Sequence, residues 1–290
     1  TLSPSSAASD VYKRQIRDYE KVYKRWLNAE KSRLRKAIID VPLIKQEKHI
    51  GDNNLTVISL FTGAYGLDLG FELEGFEVTV ALDISKDSYI NLRANRSKVP
   101  FILNDIMKVK TKDILKEAGL NPREVDVITG GPPCQPFSPA GKRQSLKDPR
   151  SAPLKDFIRV IKEAEPKVFV MEEVPGILSA RIRHVPIKER NKRNLTPEER
   201  PGSAWKVILE ELRKTGYKID WKVLNAANYG APQTRERIII IGVRPDIGKP
   251  EFPDPTHSRH INTTLLQELS PWYTLAEALK KLQNPGKYMH

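Results

Sequence analysis

Short apolar runs alternate with amphipathic stretches along the chain from residue 56 onward. The apolar runs predict seven strands, at 56–61, 78–83, 101–103, 125–129, 168–171, 221–224 and 238–243. Stretches with apolar residues at helical spacing lie between them and predict helices over 67–74, 88–96, 154–165 and 204–215. Strands that alternate with helices in this way predict an α/β fold, a doubly wound Rossmann-like sheet with helices on both faces.

The chain divides into three parts by composition. Residues 1–15 are small and polar, and we expect a non-native or disordered leader there. Residues 16–50 predict a basic helix over 16–39 and a polar linker; the helix either packs on the main domain or contacts a DNA backbone. The α/β domain then spans 51–290, and within it residues 181–200, dense in Arg, Lys, Asn and Pro, predict an exposed basic loop.

Bulk properties narrow the class of protein. A net charge of +13 and a pI near 9.6 favour a polyanionic partner such as nucleic acid, although a merely basic soluble protein has the same charge. A single cysteine excludes an internal disulfide, which fits a reducing cytosol. No apolar run approaches the ~20 residues of a membrane span. We therefore expect a cytoplasmic protein with no membrane contact.

The single cysteine, Cys134, lies in a loop that reads Gly-Gly-Pro-Pro-Cys-Gln-Pro-Phe-Ser over residues 130–138. Glycines and prolines make this loop stiff and irregular, directly after a strand that is predicted to be buried. Ligands bind at that edge of open α/β sheets. A lone cysteine is more often a small buried hydrophobe. This loop instead favours a thiolate nucleophile for covalent catalysis.

The loop resembles the nucleophile motif of the cytosine-5 DNA methyltransferases, which use S-adenosylmethionine. Other parts of that family's pattern follow in order from Val57 to Leu279. The resemblance implies a mostly parallel sheet with one antiparallel strand. It also implies methyl transfer to carbon 5 of cytosine in DNA through a covalent adduct on Cys134, as the modification enzyme of a restriction-modification system. Double-stranded DNA is the expected partner, its target base flipped out of the stack; we expect a monomer without metal.

A glycine-bearing turn follows the first predicted strand, where backbone amides can approach a ligand closely. It resembles the family's Phe-x-Gly-x-Gly-Gly cofactor motif, which implies that Phe61, Gly63 and Gly66 bind S-adenosylmethionine. Tyr65 stands where the family commonly has glycine, and its side chain could crowd the cofactor. A nicotinamide-dependent dehydrogenase could share this half of the fold, but it would not explain the Pro-Pro-Cys loop.

Two acids complete the expected cofactor site. Asp83 follows the glycine turn by about 20 residues, the spacing at which a carboxylate meets ribose hydroxyls. Asp105 resembles the family's aspartate that accepts a hydrogen bond from the adenine amino group. The resemblance adds the remaining cofactor residues, Ile84, Ile106 and Pro132. Taken singly, each acid is better interpreted as a helix N-cap or a solvated loop carboxylate, but the two acids in series favour the ligand role.

A catalytic acid is expected at the end of the strand 168–171. Glu172 resembles the glutamate of the family's Glu-Asn-Val motif, which protonates ring nitrogen 3 of cytosine. Burial there would favour a carboxyl group that keeps its proton. Glu173 stands where the family has asparagine. It either repels Glu172 and raises the pKa of that acid further, or points elsewhere, or is an ordinary surface residue at a strand end.

The segment 229–237 resembles the family's Gln-x-Arg-x-Arg motif. Alternate positions of an extended segment face the same way, so Arg235 and Arg237 project together. Two guanidinium groups could hold the carbonyl oxygen of the base and the flanking phosphate. The other interpretation is an ordinary charged strand entrance. The expected substrate-binding residues are Gln135, Ser138 and Gln233.

Two other functions stay open. The RNA branch of the same family uses these motifs on tRNA, and an inactive nucleic-acid-binding protein would tolerate the changes at Tyr65 and Glu173. After residue 279 nothing resembles the family's target-recognition domain or its C-terminal Gly-Asn-x-Val helix. We therefore expect a fragment of a longer enzyme.

Overall fold

The computed structural model describes residues 55–133, 152–183, 185–190, 192–259 and 269–280. These ranges all fall within one compact unit, Lys48–Lys281. The predicted leader and the predicted basic helix over 16–39 lie outside the described residues. Within them, no helix is long and apolar enough to cross a membrane.

The elements follow the order that the hydrophobic pattern predicts. The described strands are β1 (Thr56–Leu60), β2 (Glu77–Asp83), β3 (Phe101–Leu103), β4 (Val127–Gly130), β5 (Val168–Glu173), β6 (Lys218–Asn225), β7 (Glu236–Val243), β8 (His257–Ser258) and β9 (Ser270–Pro271). The described helices are α1 (Gly66–Leu73), α2 (Lys86–Asn95), α3 (Thr111–Ala118), α4 (Ala152–Ala164), α5 (Ser203–Arg213) and α6 (Leu275–Lys280). Among these helices and strands, α3, α6 and the pair β8–β9 were not predicted; α6 and the two-residue strands are too short to show a clear period.

Seven of the described strands form one sheet in the order β3-β2-β1-β4-β5-β7-β6. All neighbouring pairs are parallel except those of β7, which runs antiparallel to both β5 and β6. This confirms the predicted doubly wound sheet with one antiparallel strand. Because β1 lies beside β4 and β4 beside β5, the carboxyl ends of these three strands meet at one edge, at the point where the strand order reverses.

The central strands are buried on both faces, as parallel sheets require. Ile58 and Leu60 of β1 and Ile128 of β4 have no exposed surface. Helix α4 covers one face through an apolar stripe that includes Phe157. The rings of Phe157 and Phe169 pack edge to face with centroids 6.4 Å apart.

Gly242 of β7 is paired across the sheet with Phe169 of β5. A Cβ atom at position 242 would lie only 2.0 Å from the Phe169 ring. The aromatic ring therefore occupies the space that any side chain at 242 would need. This close approach explains a glycine in the middle of an otherwise isoleucine-rich strand.

We predict that Gly242→Ala lowers the free energy of unfolding by about 1–3 kcal/mol, since Phe169 must leave its rotamer or the strands must separate. Chemical denaturation followed by circular dichroism measures this change. Gly70→Ala is the matched control, because a Cβ there meets nothing within 4 Å. In the middle of α1 it should raise stability by about 0.5–1 kcal/mol. Equal effects of the two substitutions would contradict the packing argument.

Residues 181–200, which we call the basic lobe, are more ordered than the predicted exposed loop. Short 3-10 turns occupy Ile187–Glu189 and Pro197–Glu199. Glu199 is only 2% exposed, and its two carboxylate oxygens accept bonds of 2.7 and 2.8 Å from Arg193. It also accepts the backbone N–H of Thr196 at 3.0 Å. A buried carboxylate needs such hydrogen-bond and ion-pair partners. The contacts of Glu199 therefore hold the surrounding residues of the lobe together.

The Arg193 guanidinium and the Thr196 N–H lower the pKa of Glu199 from its usual 4.5 to about 2. The lowered folded-state pKa means that these contacts stabilise the protein fully above about pH 4.5. The contribution falls as pH drops towards 2, because the carboxylate then takes up a proton.

We therefore predict that Glu199→Gln destabilises the protein at pH 7 and that its difference from wild type narrows below pH 4.5. Denaturant unfolding in steps from pH 6 to pH 3 checks the slope. Glu198→Gln, an exposed neighbour, should show no such pH dependence. A difference between wild type and Glu199→Gln that is constant over this range would refute the ion-pair account.

Candidate active site

A cavity of about 690 Å³ opens at the carboxyl edge of the sheet, where β1, β4 and β5 end. The turn after β1 forms one wall, the first residues after β4 form the floor, and β5 and β7 supply charged groups. The lining residues that carry the argument are Thr62, Gly63, Asp68, Thr129, Glu172 and Arg237. This is the position at which doubly wound sheets bind their ligands.

The turn after β1 follows an unusual backbone path. Phe61, Gly63 and Tyr65 have φ values of +57°, +53° and +69°, all in the left-handed region. Phe61 and Gly63 line the cavity, as does Gly66 at the start of α1. The Gly63 N–H donates to Asp83 Oδ2 at 2.8 Å, which ties the turn to the end of β2. Two of these left-handed positions carry side chains, and such strain persists only where surrounding contacts compensate.

Tyr65 provides one of these contacts. Its ring is 6% exposed and packs with Val57 and Val78, and its hydroxyl donates to Glu72 Oε1 at 2.8 Å. Burial, together with the bond to Glu72, raises the pKa of this hydroxyl. The ring therefore points into the core, and Tyr65 is not among the lining residues. Its left-handed φ explains why glycine is usual here, and the expected crowding of the cofactor is not observed.

Asp68 provides the second contact, and sequence reasoning missed it. Its side chain lines the cavity but is 1% exposed, and its carboxylate accepts a short hydrogen bond from the Thr62 hydroxyl. Burial raises the pKa of Asp68, and the hydroxyls of Thr62 and Ser59 partly offset this rise. An acid in the first turn of a helix is commonplace, so the sequence carried no signal of this role.

The floor of the cavity contains a polar atom without a partner. Thr129 has no exposed surface, and its hydroxyl makes no hydrogen bond within the described part of the chain. Thr129 pairs with Ser59 in the β1–β4 register, and both residues line the cavity. A buried hydroxyl without a partner is costly, so this one is suited to a bound polar group.

The two predicted cofactor acids are held by backbone amides. Asp83 Oδ1 accepts the Ser85 N–H at 2.8 Å, in addition to the Gly63 bond on Oδ2. Asp105 caps the short 3-10 turn Ile106–Lys108 through the Met107 N–H at 3.0 Å. The N-cap interpretation is thus observed for Asp105. Each carboxylate oxygen can accept a further bond, so the ligand role stays a prediction.

The three apolar cofactor residues differ in exposure. Ile84, directly after Asp83, is 69% exposed. Ile106 is 2% exposed and packs in the main core. Its side chain is therefore not available to a ligand, in contrast to the expected cofactor role. Only its backbone can reach one. Pro132 is buried after β4.

Glu172 lies at the end of β5, beside β7 in the sheet. Its Oε1 is 2.9 Å from Arg237 Nε and 3.6 Å from Arg235 Nη2. The predicted burial is wrong, since the side chain is 35% exposed at the mouth of the cavity. The two arginines do project together, as their alternate positions predict, and both reach this carboxylate. The antiparallel β5–β7 pairing produces this contact.

Gly131 connects Glu172 to the nucleophile loop. A Cβ at position 131 would lie 3.3 Å from Glu172 Oε2 and 3.5 Å from its carbonyl oxygen. The backbone after β4 therefore passes directly against the acid, and glycine permits this approach. Cys134 follows three residues later but, like Gln135 and Ser138, lies outside the described residues. Gln233 is exposed in the turn before β7 and is not among the lining residues.

Glu173 projects from the opposite face of β5 from Glu172, since side chains alternate along a strand. It is 5% exposed, so the interpretation as a surface residue is wrong. Its Oε2 accepts the Val174 N–H at 3.3 Å. Glu173 therefore does not share the cavity with Glu172.

Comparison with known proteins identifies the family. The family model described as C-5 cytosine-specific DNA methylase matches residues 55–287. The chain belongs to this family. A relative, the Type II methyltransferase M.AquIA of Picosynechococcus sp., is 38% identical over 239 residues, which cover 78% of this chain and 88% of the relative.

Other members of the family are longer. The Type II methyltransferase M1.HphI of Haemophilus parahaemolyticus is 37% identical over 209 residues, which cover 71% of this chain but 50% of the relative. A crystal structure of an E. coli prophage protein, described as a DNA modification methyltransferase, superposes with a TM-score of 0.56 at 27% identity. That match covers 79% of this chain and 56% of the other. The chain thus spans about half of these two family members.

We predict a distinct pH signature for Asp68. Its raised folded-state pKa means that wild type loses stability as pH rises from about 4, because the buried carboxylate must then be charged. Asp68→Asn keeps the shape and removes this charge. The unfolding free energy of the variant relative to wild type should therefore rise with pH between 4 and 8, measured by denaturant titration.

The matched control is Asp87→Asn, an exposed acid in the first turn of α2. Its difference from wild type should be almost independent of pH in the same range. A flat profile for Asp68→Asn would contradict the burial of a charged carboxyl in the cavity wall.

Proposed function

We propose that this chain transfers a methyl group from S-adenosylmethionine to carbon 5 of cytosine in DNA, through a covalent adduct on Cys134. One observation carries the proposal. Glu172, paired with Arg237, lies against Gly131, three residues before Cys134, at the mouth of the cavity that the glycine-bearing turn lines. An acid, a nucleophile loop and a cofactor turn thus share one edge of the sheet, and this reaction requires all three.

The residues present fit the cofactor. Asp83 is held by two backbone amides and keeps lone pairs that suit ribose hydroxyls. Ile84, exposed beside it, offers an apolar surface for a purine ring. The unpartnered Thr129 hydroxyl in the neighbouring cavity supplies a polar group for the amino-acid end. S-adenosylmethionine supplies an electrophilic methyl group when it is bound.

Carbon 5 of cytosine is a weak nucleophile until the ring is activated. The Cys134 thiolate adds to carbon 6, and Glu172 holds a proton at ring nitrogen 3, so that electron density moves to carbon 5 as an enamine. When carbon 5 takes the methyl group, the bond from that methyl to the cofactor sulfur would break and leave S-adenosylhomocysteine. Loss of the carbon 5 proton to solvent, elimination of the Cys134 thiolate and return of the ring nitrogen 3 proton to Glu172 then restore the aromatic ring and regenerate both residues.

The ion pair divides the work of the Glu172 carboxyl group. Arg237 Nε holds Oε1, while Oε2 lies on the side of Gly131. Oε2 is therefore the oxygen placed to carry the proton to the base. Arg235, 3.6 Å from Oε1 and 46% exposed, has donors left for the carbonyl oxygen or a phosphate.

The biological setting follows from the relatives and the charge. Several relatives are named Type II methyltransferases, and the chain carries a net charge of +13, which suits a DNA backbone. We propose that it is the modification enzyme of a restriction-modification system in the cytoplasm. It would act as a monomer on double-stranded DNA.

The test is transfer of labelled methyl from S-adenosylmethionine into genomic DNA and, separately, into total tRNA, followed by nucleoside analysis. We predict 5-methylcytosine in DNA alone. Cys134→Ser should abolish it. Glu172→Gln should lower kcat by about 10²–10⁴-fold with unchanged cofactor affinity, because it removes the acid that would protonate ring nitrogen 3 but no expected cofactor contact.

The control is Glu163→Gln, a substitution of an exposed residue on α4, which should keep wild-type activity. Label in tRNA alone would assign the chain to the RNA branch of the family. Full activity of Cys134→Ser would disprove the covalent mechanism.

A further inference from the structure

The basic lobe, residues 181–200, lies on the same edge of the sheet as the cavity. Strand β5 runs towards that edge and ends at Glu173; the chain then passes through the turn Pro175–Ser179 into the lobe, and α5 runs back. Two bonds close the base of the lobe. The Ala204 N–H donates to the Ala180 carbonyl at 3.2 Å, and the Ile182 N–H donates to the Ser203 hydroxyl at 2.9 Å.

Internal contacts give the lobe a defined shape. Besides the Arg193 pair on Glu199, Arg181 Nε donates to the Glu199 carbonyl at 2.8 Å. The Arg183 N–H donates to the Glu198 carbonyl at 3.0 Å, and Val185 is 1% exposed. The cations of the lobe therefore project from an organised segment. Binding would then not have to order the backbone that carries them.

The charge of the lobe is strongly one-sided. It contains seven Arg or Lys residues and three Glu, a net charge of +4 (7 − 3 = 4). Glu199, the buried acid, is already occupied by Arg193, with Arg183 at 3.8 Å. Lys188, Lys192 and Arg200 are exposed, and none of them has an ion pair within the described residues. These three cations are thus available to an external anion.

We propose that the basic lobe binds backbone phosphates of the DNA duplex beside the target cytosine. The inference rests on the proposed function, which places a duplex across this edge with one base in the cavity. The chain leaves Glu172 at the mouth of the cavity and reaches the lobe after the turn Pro175–Ser179, on the same edge of the sheet. A duplex with one base in the cavity would therefore bring its backbone phosphates close to the lobe, and exposed Lys and Arg side chains neutralise such phosphates.

The test compares two triple variants by the salt dependence of DNA binding. The lobe variant is Lys188→Gln with Lys192→Gln and Arg200→Gln. The control carries Lys98→Gln, Lys116→Gln and Lys162→Gln, three exposed lysines at the opposite edge of the sheet. Both variants lose the same charge. Binding to a fluorescent mixed-sequence duplex is followed by anisotropy at several salt concentrations.

A plot of the logarithm of the DNA-binding constant against the logarithm of the salt concentration has a negative slope, and each lost phosphate contact decreases its magnitude by about 0.9. For the lobe variant we expect the magnitude of this negative slope to decrease by about 2–3, so that binding depends less steeply on salt. Binding near 0.1 M salt should be at least ~10-fold weaker than that of wild type. For the control we expect the wild-type slope. Equal slopes in the two variants, or no salt-dependent binding by wild type, would overturn the proposal.

Two further readouts separate this proposal from its alternatives. Thermal unfolding of both variants should match wild type, since the substituted side chains are exposed. If the lobe variant loses binding to polyglutamate but binds the duplex as wild type does, the lobe is a binding site for acidic proteins and the proposal is overturned. The salt dependence of binding is measured without methyl transfer. A wild-type protein that transfers no methyl group would therefore count against the proposed function alone, and the binding slopes would still test the role of the lobe.

Discussion

The parallel pairing of β1 with β4 is the constraint on which the rest of the site depends. It places the glycine-bearing turn after β1 beside Gly130 and Gly131, and the next pairing places β5 and Glu172 on the other side of those glycines. Because side chains cannot fit between these strand ends, glycines occupy the crossing. A Cβ at Gly130 would lie 2.6 Å from the Leu60 carbonyl. The cavity exists because three strands end together and the order of the sheet reverses there.

Strain and burial are balanced locally in the wall of the cavity. Left-handed conformations at Phe61 and Tyr65 are unfavourable by themselves, and a buried carboxyl at Asp68 is unfavourable too. Two of the three are compensated by a specific contact: the Tyr65 ring packs in the core, and the Asp68 carboxylate accepts a hydrogen bond from the Thr62 hydroxyl. The wall is thus held in a shape that the local sequence alone would not favour. Such preorganisation keeps backbone amides and polar groups aimed at a ligand before it arrives.

Opposite charges are used in two different ways on the same edge. In the cavity, Glu172 sits at the surface with Arg237, where water still reaches the pair and the carboxylate remains accessible. In the basic lobe, Glu199 is buried, and its hydrogen bonds stabilise the conformation of the chain around it. The first arrangement suits chemistry, because a reacting group must meet a substrate. The second suits a scaffold, because Arg193 neutralises Glu199 and leaves Lys188, Lys192 and Arg200 exposed.

Much of this protein is determined by local sequence. The period of apolar residues predicted all seven strands of the main sheet. Glu172, Arg235 and Arg237, predicted at the ends of β5 and β7, line the cavity, whereas Cys134 lies outside the described residues and its role stays a prediction. Local patterns could not predict that Glu172 is only half-buried and paired with two arginines, because that contact depends on β7 running antiparallel beside β5. Nor could they predict that Asp68 lines the cavity, that Tyr65 turns into the core, or that Glu199 is buried. Burial and pairing depend on which segments meet in space, and only the tertiary structure decides that.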